Sequence, residues 1–130
     1  MKRDDVIKII RETYSVDPEY LWDGETHAVF RHPGSNKWFG IIMDVRKKLL
    51  HVEGFDDAEN TEAVMNVKAN PILIEDLLNE EAFLPAYHMN KKYWVSIRLG
   101  LVSEEALRKL IDESWNLVKP KTRLKKVDKK

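Results

Sequence analysis

Six consecutive residues, Trp38-Phe39-Gly40-Ile41-Ile42-Met43, are apolar or glycine at odd and even positions alike. Successive strand side chains leave opposite faces of a sheet, so a half-buried strand alternates and a run without alternation must be covered on both sides. The run predicts a central strand with helices over at least one face. Just before it, Ala28 to Arg31 reads as a partner strand, and His32-Pro33-Gly34-Ser35-Asn36 is a turn-rich connector of hairpin length. Ala28 to Arg31 and Lys37 to Val45 are therefore expected to form a β-hairpin.

The rest of the chain supplies the cover. Asp4 or Asp5 can cap a first helix whose apolar positions Val6, Ile9, Ile10 and Tyr14 follow helical spacing up to the Asp17-Pro18 turn. Leu49 to Val52 is a weaker strand, and Ala63 to Ala69 a further one ended by Asn70-Pro71. Asn70 as N-cap and Pro71 in the first turn predict a short helix to Asn79. Tyr87 to Met89 and Tyr93 to Leu99 read as a second hairpin, in which Val95, Ile97 and Leu99 face the core and Trp94, Ser96 and Arg98 do not. Ser103 caps the clearest helix, with Glu104 and Glu105 in its first turn, a stripe of Leu107, Leu110, Ile111 and Val118, and Pro120 as its stop. No internal repeat is present.

These elements describe an α+β domain over residues 1–119 and a flexible basic tail over 120–130. With 130 residues, 43% of them hydrophobic, the chain can build one core. It has no cysteine, which removes disulfides and thiolate metal sites and points to a reducing compartment. Its start is charged where a secretory leader would be apolar, and no apolar run approaches the ~20 residues of a membrane span. A cytoplasmic protein is expected, with no membrane association.

Chemistry-bearing patterns are sparse. His27, His32, His51 and His88 fall on different predicted elements, and no pair has the i, i+4 spacing of a zinc helix. No Gly-rich phosphate loop, nucleophile elbow or Ser-His-Asp pattern occurs, and the acidic run Glu53, Asp56, Asp57, Glu59 and Glu62 matches no metal loop. No enzyme, cofactor or metal is expected. The segment Pro85-Ala86-Tyr87-His88-Met89-Asn90-Lys91-Lys92-Tyr93-Trp94 differs, because it gathers aromatics, amides and cations at a hairpin tip. If Asn90 to Lys92 form the turn, His88 and Trp94 face each other across the strands. Lysines at such a tip neutralise phosphates while aromatic groups contact sugar or base.

That segment resembles the MmcQ/YjbR-like proteins, through Pro85, Ala86, His88, Met89, Asn90, Lys91, Trp94 and Leu99. Asn66-Val67-Lys68 with Pro71, and Leu110-Ile111-Asp112 with Ser114, Trp115 and Val118, extend the likeness. Ala28 to His32 with Lys37-Trp38-Phe39 resembles the YyaQ-related subgroup. The resemblance implies a CyaY-like, double-wing fold, a curved antiparallel sheet of hairpins with N-terminal and C-terminal helices packed on it, and a DNA-binding role. Frataxin-type iron proteins share that architecture and rely on an acidic ridge near the first helix. Here Asp4, Asp5 and Glu12 stand among Lys2, Arg3, Lys8 and Arg11, so iron handling is not implied.

Charge refines the expectation. Residues 119–130 carry seven Lys or Arg against Asp128, leaving the body net negative, yet Ala82 to Ser103 has no acid at all. Arg31, Lys37 and Trp38 near the first turn, Arg46, Lys47 and Lys48 after its second strand, and Lys91, Lys92 and Arg98 of the second hairpin are expected to form two basic wings on double-stranded DNA. The alternative is a protein- or small-ligand-binding adaptor using the cluster of His88, Asn90 and Trp94. Either acts as a monomer, since no long apolar stripe is left outside the core.

Overall fold

The computed structural model describes residues 1–22, 26–51 and 60–121. Five strands, β1 (Ala28–Arg31), β2 (Trp38–Arg46), β3 (Thr61–Lys68), β4 (Phe83–Pro85) and β5 (Trp94–Arg98), form one antiparallel sheet in the order β1-β2-β3-β5-β4. Helices α1 (Arg3–Tyr14), α2 (Pro71–Leu77) and α3 (Glu104–Val118) complete the α+β fold. No helix among the described residues is long and apolar enough to cross a membrane.

Strand β2 is covered on both faces, which removes the alternation, and it carries a local irregularity as well. Phe30 pairs with Gly40 and Arg31 with Trp38, so Phe39 is an extra residue, a bulge. Phe39 and Gly40 therefore both face the helices, where a Cβ on Gly40 would meet Met65 Cε at 2.4 Å. Beyond Gly40 the parity is restored: Ile42 joins the helix side, while Ile41, Met43 and Val45 lie on the other face together with Trp38.

On the helix side, Val6 and Ile10 of α1 and Leu107, Leu110 and Ile111 of α3 bury against Phe30, Phe39, Ile42, Met65, Val67, Val95 and Ile97. The Trp115 ring lies 5.1 Å from Phe39 and 4.6 Å from Tyr14. Tyr14 Oη donates to Asp112 at 3.1 Å, and burial beside that carboxylate holds the phenol protonated well above its ordinary range. Ser114 is the polar rivet of this layer: fully buried, it donates to the Phe39 carbonyl at 2.7 Å and accepts from the Lys68 N–H at 2.9 Å. The bulge and its neighbour strand thus have backbone groups that only α3 satisfies.

Asn70 and Ser103 cap α2 and α3 as expected, accepting from Ile72 and Ala106 N–H. Three expectations are corrected. Helix α1 begins one residue before either acid, with Lys2 at the N-cap, and Asp5 acts from inside by accepting the Lys2 N–H. The stretch from Lys47 to Leu50 is a 3₁₀ turn and not a strand, closed by His51 in the left-handed region; Val52 lies outside the described residues. The partner of β5 is Phe83–Pro85 in place of Tyr87 to Met89. Pro85 suits an edge strand because it needs no donor there, and the connection back to β5 is then residues 86–93. The acidic residues from Glu53 to Glu59 and the tail from 122 onward lie outside the described residues.

His32 is buried, its ring 4.0 Å from Trp115 and its Nδ1 accepting from Gly34 N–H at 2.9 Å. Burial, with Lys119 nearby, lowers its pKa below the ordinary 6.5. The unfolded chain then binds the extra proton first, so this contribution to stability is complete above about pH 6.5 and is lost as pH falls below it. Ser114→Ala leaves a buried N–H and a buried C=O unpaired and should cost about 1–3 kcal/mol, read as a lower urea midpoint at unchanged slope. In the same measurement, His32→Asn, which keeps a side-chain acceptor for Gly34, should show a smaller loss of stability between pH 7 and pH 5 than the parent chain.

Candidate functional site

Among the described residues, the second face of the sheet is covered by two turns and not by α-helices. Val29, Ile41, Met43, Val45, Leu50 and Val64 bury there, with Trp38, Leu84, Tyr87 and Met89 against them. The 3₁₀ turn brings in Leu50, and residues 86–93 bring in Tyr87 and Met89.

Two buried polar side chains hold the second turn in place. Asn66 of β3 and Ser96 of β5 are directly opposite in the ladder and fully buried. Ser96 Oγ donates to Asn66 Oδ1, Asn66 Nδ2 donates to the Tyr87 carbonyl at 2.9 Å, and the Tyr87 N–H donates to Ser96 Oγ at 2.9 Å. Both backbone groups of Tyr87 are thereby satisfied by side chains of the sheet, which fixes where the turn crosses it. This corrects the expectation that Ser96 lies on a face outside the core. His88 follows with φ 58°, in the left-handed region, and sets its ring edge-on to Tyr87 at 4.1 Å. Asn90 serves the turn itself: its side chain accepts from Lys92 N–H at 2.8 Å and its carbonyl from Trp94 N–H at 3.0 Å.

Between this turn and β1–β2 lies an open hollow of about 700 Å³ whose walls include Trp22, Trp38, Met43, Tyr87 and His88. Trp22 stands edge-on to Trp38 at 6.2 Å and to His27 at 5.8 Å, and remains 45% exposed. A second hollow of about 550 Å³ shares the wall of Leu49, Tyr87 and His88 and is flanked by His51 and Lys91. The two turns therefore meet over the open face, with Lys48 exposed on one and Lys91 and Lys92 exposed on the other.

The expected basic residues separate into groups. Arg98 is unavailable: its Nε and Nη2 bind Glu62 at 2.6 and 3.0 Å, with the two side chains only 14% and 11% exposed. Hydrogen bonding to Glu62 raises the Arg98 pKa, and the pair spends its charge internally. Arg31 is held 3.1 Å from Glu19 and lies 5.9 Å from the Trp38 ring centre. Arg46 borders the larger hollow, and Lys47 is half-buried on the 3₁₀ turn; both have local interactions. Lys37 is exposed at the start of β2, and Arg46 is its last residue. At ~3.3 Å per residue the ends of that strand are about 26 Å apart, so Lys37 and the Arg46–Lys48 group do not form one wing.

The expected facing of His88 and Trp94 is corrected too. Trp94 lines a separate hollow of about 450 Å³ with Asn90, Lys68, Pro71 and Leu117, and His88 lines the other two. The turn is longer than the pairing required, so an adaptor site of His88, Asn90 and Trp94 is not assembled. Sequence reasoning missed Trp22, His27, Met43 and Tyr87 as site residues. The signal for Trp22 was the apolar triplet Tyr20-Leu21-Trp22 before β1, all of it exposed. Among the described residues, no three His, Asp or Glu converge as a metal set.

The chain is similar to known proteins in sequence and in fold. The uncharacterized protein YyaQ of Bacillus subtilis (strain 168) is 34% identical over 121 residues, spanning 92% of this chain and 99% of the relative. The uncharacterized protein YbdF of Escherichia coli O157:H7 is 47% identical over 58 residues, 42% of this chain and 46% of that protein. A crystal structure of a Pseudomonas syringae protein superposes with a TM-score of 0.85 at 28% identity, covering 92% of this chain and all of that one. A Deinococcus radiodurans crystal structure, at 23% identity, 96% and 85% coverage and a TM-score of 0.67, agrees in fold. The family model YjbR matches residues 11–117, and the chain belongs to the YjbR family.

Proposed function

We propose that this chain is a small nucleic-acid-binding protein, acting by binding and not by catalysis, and that its working surface is the open face of the sheet. The observation that carries the reading is the meeting of the 3₁₀ turn with residues 86–93 over that face. It sets exposed Lys91 beside a shared wall of Leu49, Tyr87 and His88, with Lys48 exposed on the 3₁₀ turn that contributes Leu49. Cations flanking an aromatic hollow are the combination that binds a polyanion with planar bases: ammonium groups displace counterions from phosphates, and rings accept the bases. DNA is the partner first in view. Lys48, Lys91 and Lys92 are the phosphate contacts, and Arg98 and Arg31, committed to Glu62 and Glu19, are not. A cysteine-free chain suits the reducing cytoplasm, where a monomer is sufficient for this action.

A second reading, a small-ligand or protein adaptor, draws support from the exposure of Trp22 and Leu49, 45% and 44%, at the edge of the larger hollow. The two differ in salt response. Three phosphate contacts give a log–log slope against salt of about −2 to −3, whereas burial of apolar surface is little weakened by salt. In fluorescence anisotropy with labelled DNA, affinity should fall steeply as salt rises. Lys91→Ala with Lys92→Ala should flatten the slope by about 2, and Lys48→Ala by about 1. Absence of binding at low salt would refute the nucleic-acid reading.

A further inference from the structure

We infer that the hollow between Trp22, Trp38 and Tyr87 receives one unpaired nucleobase, so that the chain prefers single-stranded to fully paired nucleic acid. The inference rests on the nucleic-acid reading above and specifies which form of the polymer is held. Its first support is shape. The Trp22 and Trp38 rings meet at 83° with centres 6.2 Å apart, so a planar ring stacked on one indole lies perpendicular to the other and turns its edge toward it. Offset and edge-on contacts of that kind are the favoured aromatic geometries.

The second support is the chemistry of the walls. Ile41, Met43 and Val45 are buried side chains of β2 that give an apolar floor. Among the described residues the one acid bordering the hollow is Asp44, whose carboxylate is engaged by Arg3 at 2.8 Å, which reduces its repulsion of a phosphate-bearing ligand. Arg46 and His88 supply hydrogen-bonding groups at the margin, and Lys91 borders the adjoining hollow where a flanking phosphate would lie. A paired base within a duplex has both faces covered by its neighbours and offers only its edges. An unpaired base offers a face, which aromatic side chains hold with little regard to sequence.

The third support is exposure. Trp22 leaves nearly half of an indole in water beside an apolar cavity of about 700 Å³, ample for one base and its sugar. Tyr87 opposite is fixed by Asn66 and Ser96, so little ordering is required when a ring enters.

The test uses the whole chain at low salt with four probes: a short mixed-sequence single strand, its duplex, an abasic single strand of equal length, and inorganic polyphosphate. Anisotropy, by competition for polyphosphate, gives affinity and intrinsic tryptophan fluorescence reports stacking. The single strand should bind about tenfold tighter than the duplex and the abasic strand and should alone quench tryptophan emission. Trp22→Ala, a change at an exposed position, should abolish that preference and leave polyphosphate binding intact; Trp38→Phe should keep part of it. Equal affinity for single strand, duplex and abasic strand without quenching would overturn this inference and leave the nucleic-acid reading standing. Failure to bind any of the four would overturn both.

Discussion

The extra residue at Phe39 is the constraint on which the two-sided character of this sheet depends. By turning two successive side chains toward the helices, it seats the Phe39 ring against Tyr14, Phe30 and Trp115 and sends Trp38 to the opposite face. A regular strand would keep Trp38 and Ile41 on different faces. The helix layer is then tied to the bulge through Ser114, whose hydroxyl serves the Phe39 carbonyl and the Lys68 N–H at once. Core packing and the composition of the candidate site are thus set by the same irregularity.

The second face is organised differently. Among the described residues no α-helix covers it, and its apolar side chains are covered by two turns, one of which is held by the buried Asn66 and Ser96 pair. A buried polar pair costs free energy unless every donor and acceptor is matched, and here the matching partner is the backbone of Tyr87. The consequence is a fixed aromatic wall beside a hollow that stays open. Helix-side aromatics such as Trp115 complete the core, whereas Trp22 and Trp38 border solvent.

Much of the fold was legible because its signals are local. The caps at Asn70 and Ser103, the stripes of α1 and α3, and the hairpin around Pro33-Gly34 are each determined by residues within one or two turns of chain. The unbroken apolar run of β2 correctly indicated burial on both faces, although the bulge at Phe39 leaves no mark distinguishable within such a run. The α1 cap and the 3₁₀ turn were misread locally, and the remaining errors were of long range. Tyr87 looks like a strand residue, but its backbone is claimed by Asn66, 21 positions away. Arg98 looks like a surface cation, and its charge is absorbed by Glu62, 36 positions away. Trp94 sits in a hollow with Pro71 and Leu117, a placement that follows from the turn length and not from its own sequence context.

The central claim is that the open face, with its aromatic hollow and adjoining lysines, is where a partner is held, and that the helix face is structural. Trp22 and Trp38 on the open face and Trp115 on the helix face divide between these roles, which makes their indole N–H signals direct reporters. In a two-dimensional proton–nitrogen NMR titration with a single-stranded oligonucleotide, the Trp22 and Trp38 indole signals should shift together and saturate at one stoichiometry. Trp115, enclosed by Tyr14, His32 and Phe39, should stay in place. Movement of Trp115 with Trp22 and Trp38 unmoved would contradict the account.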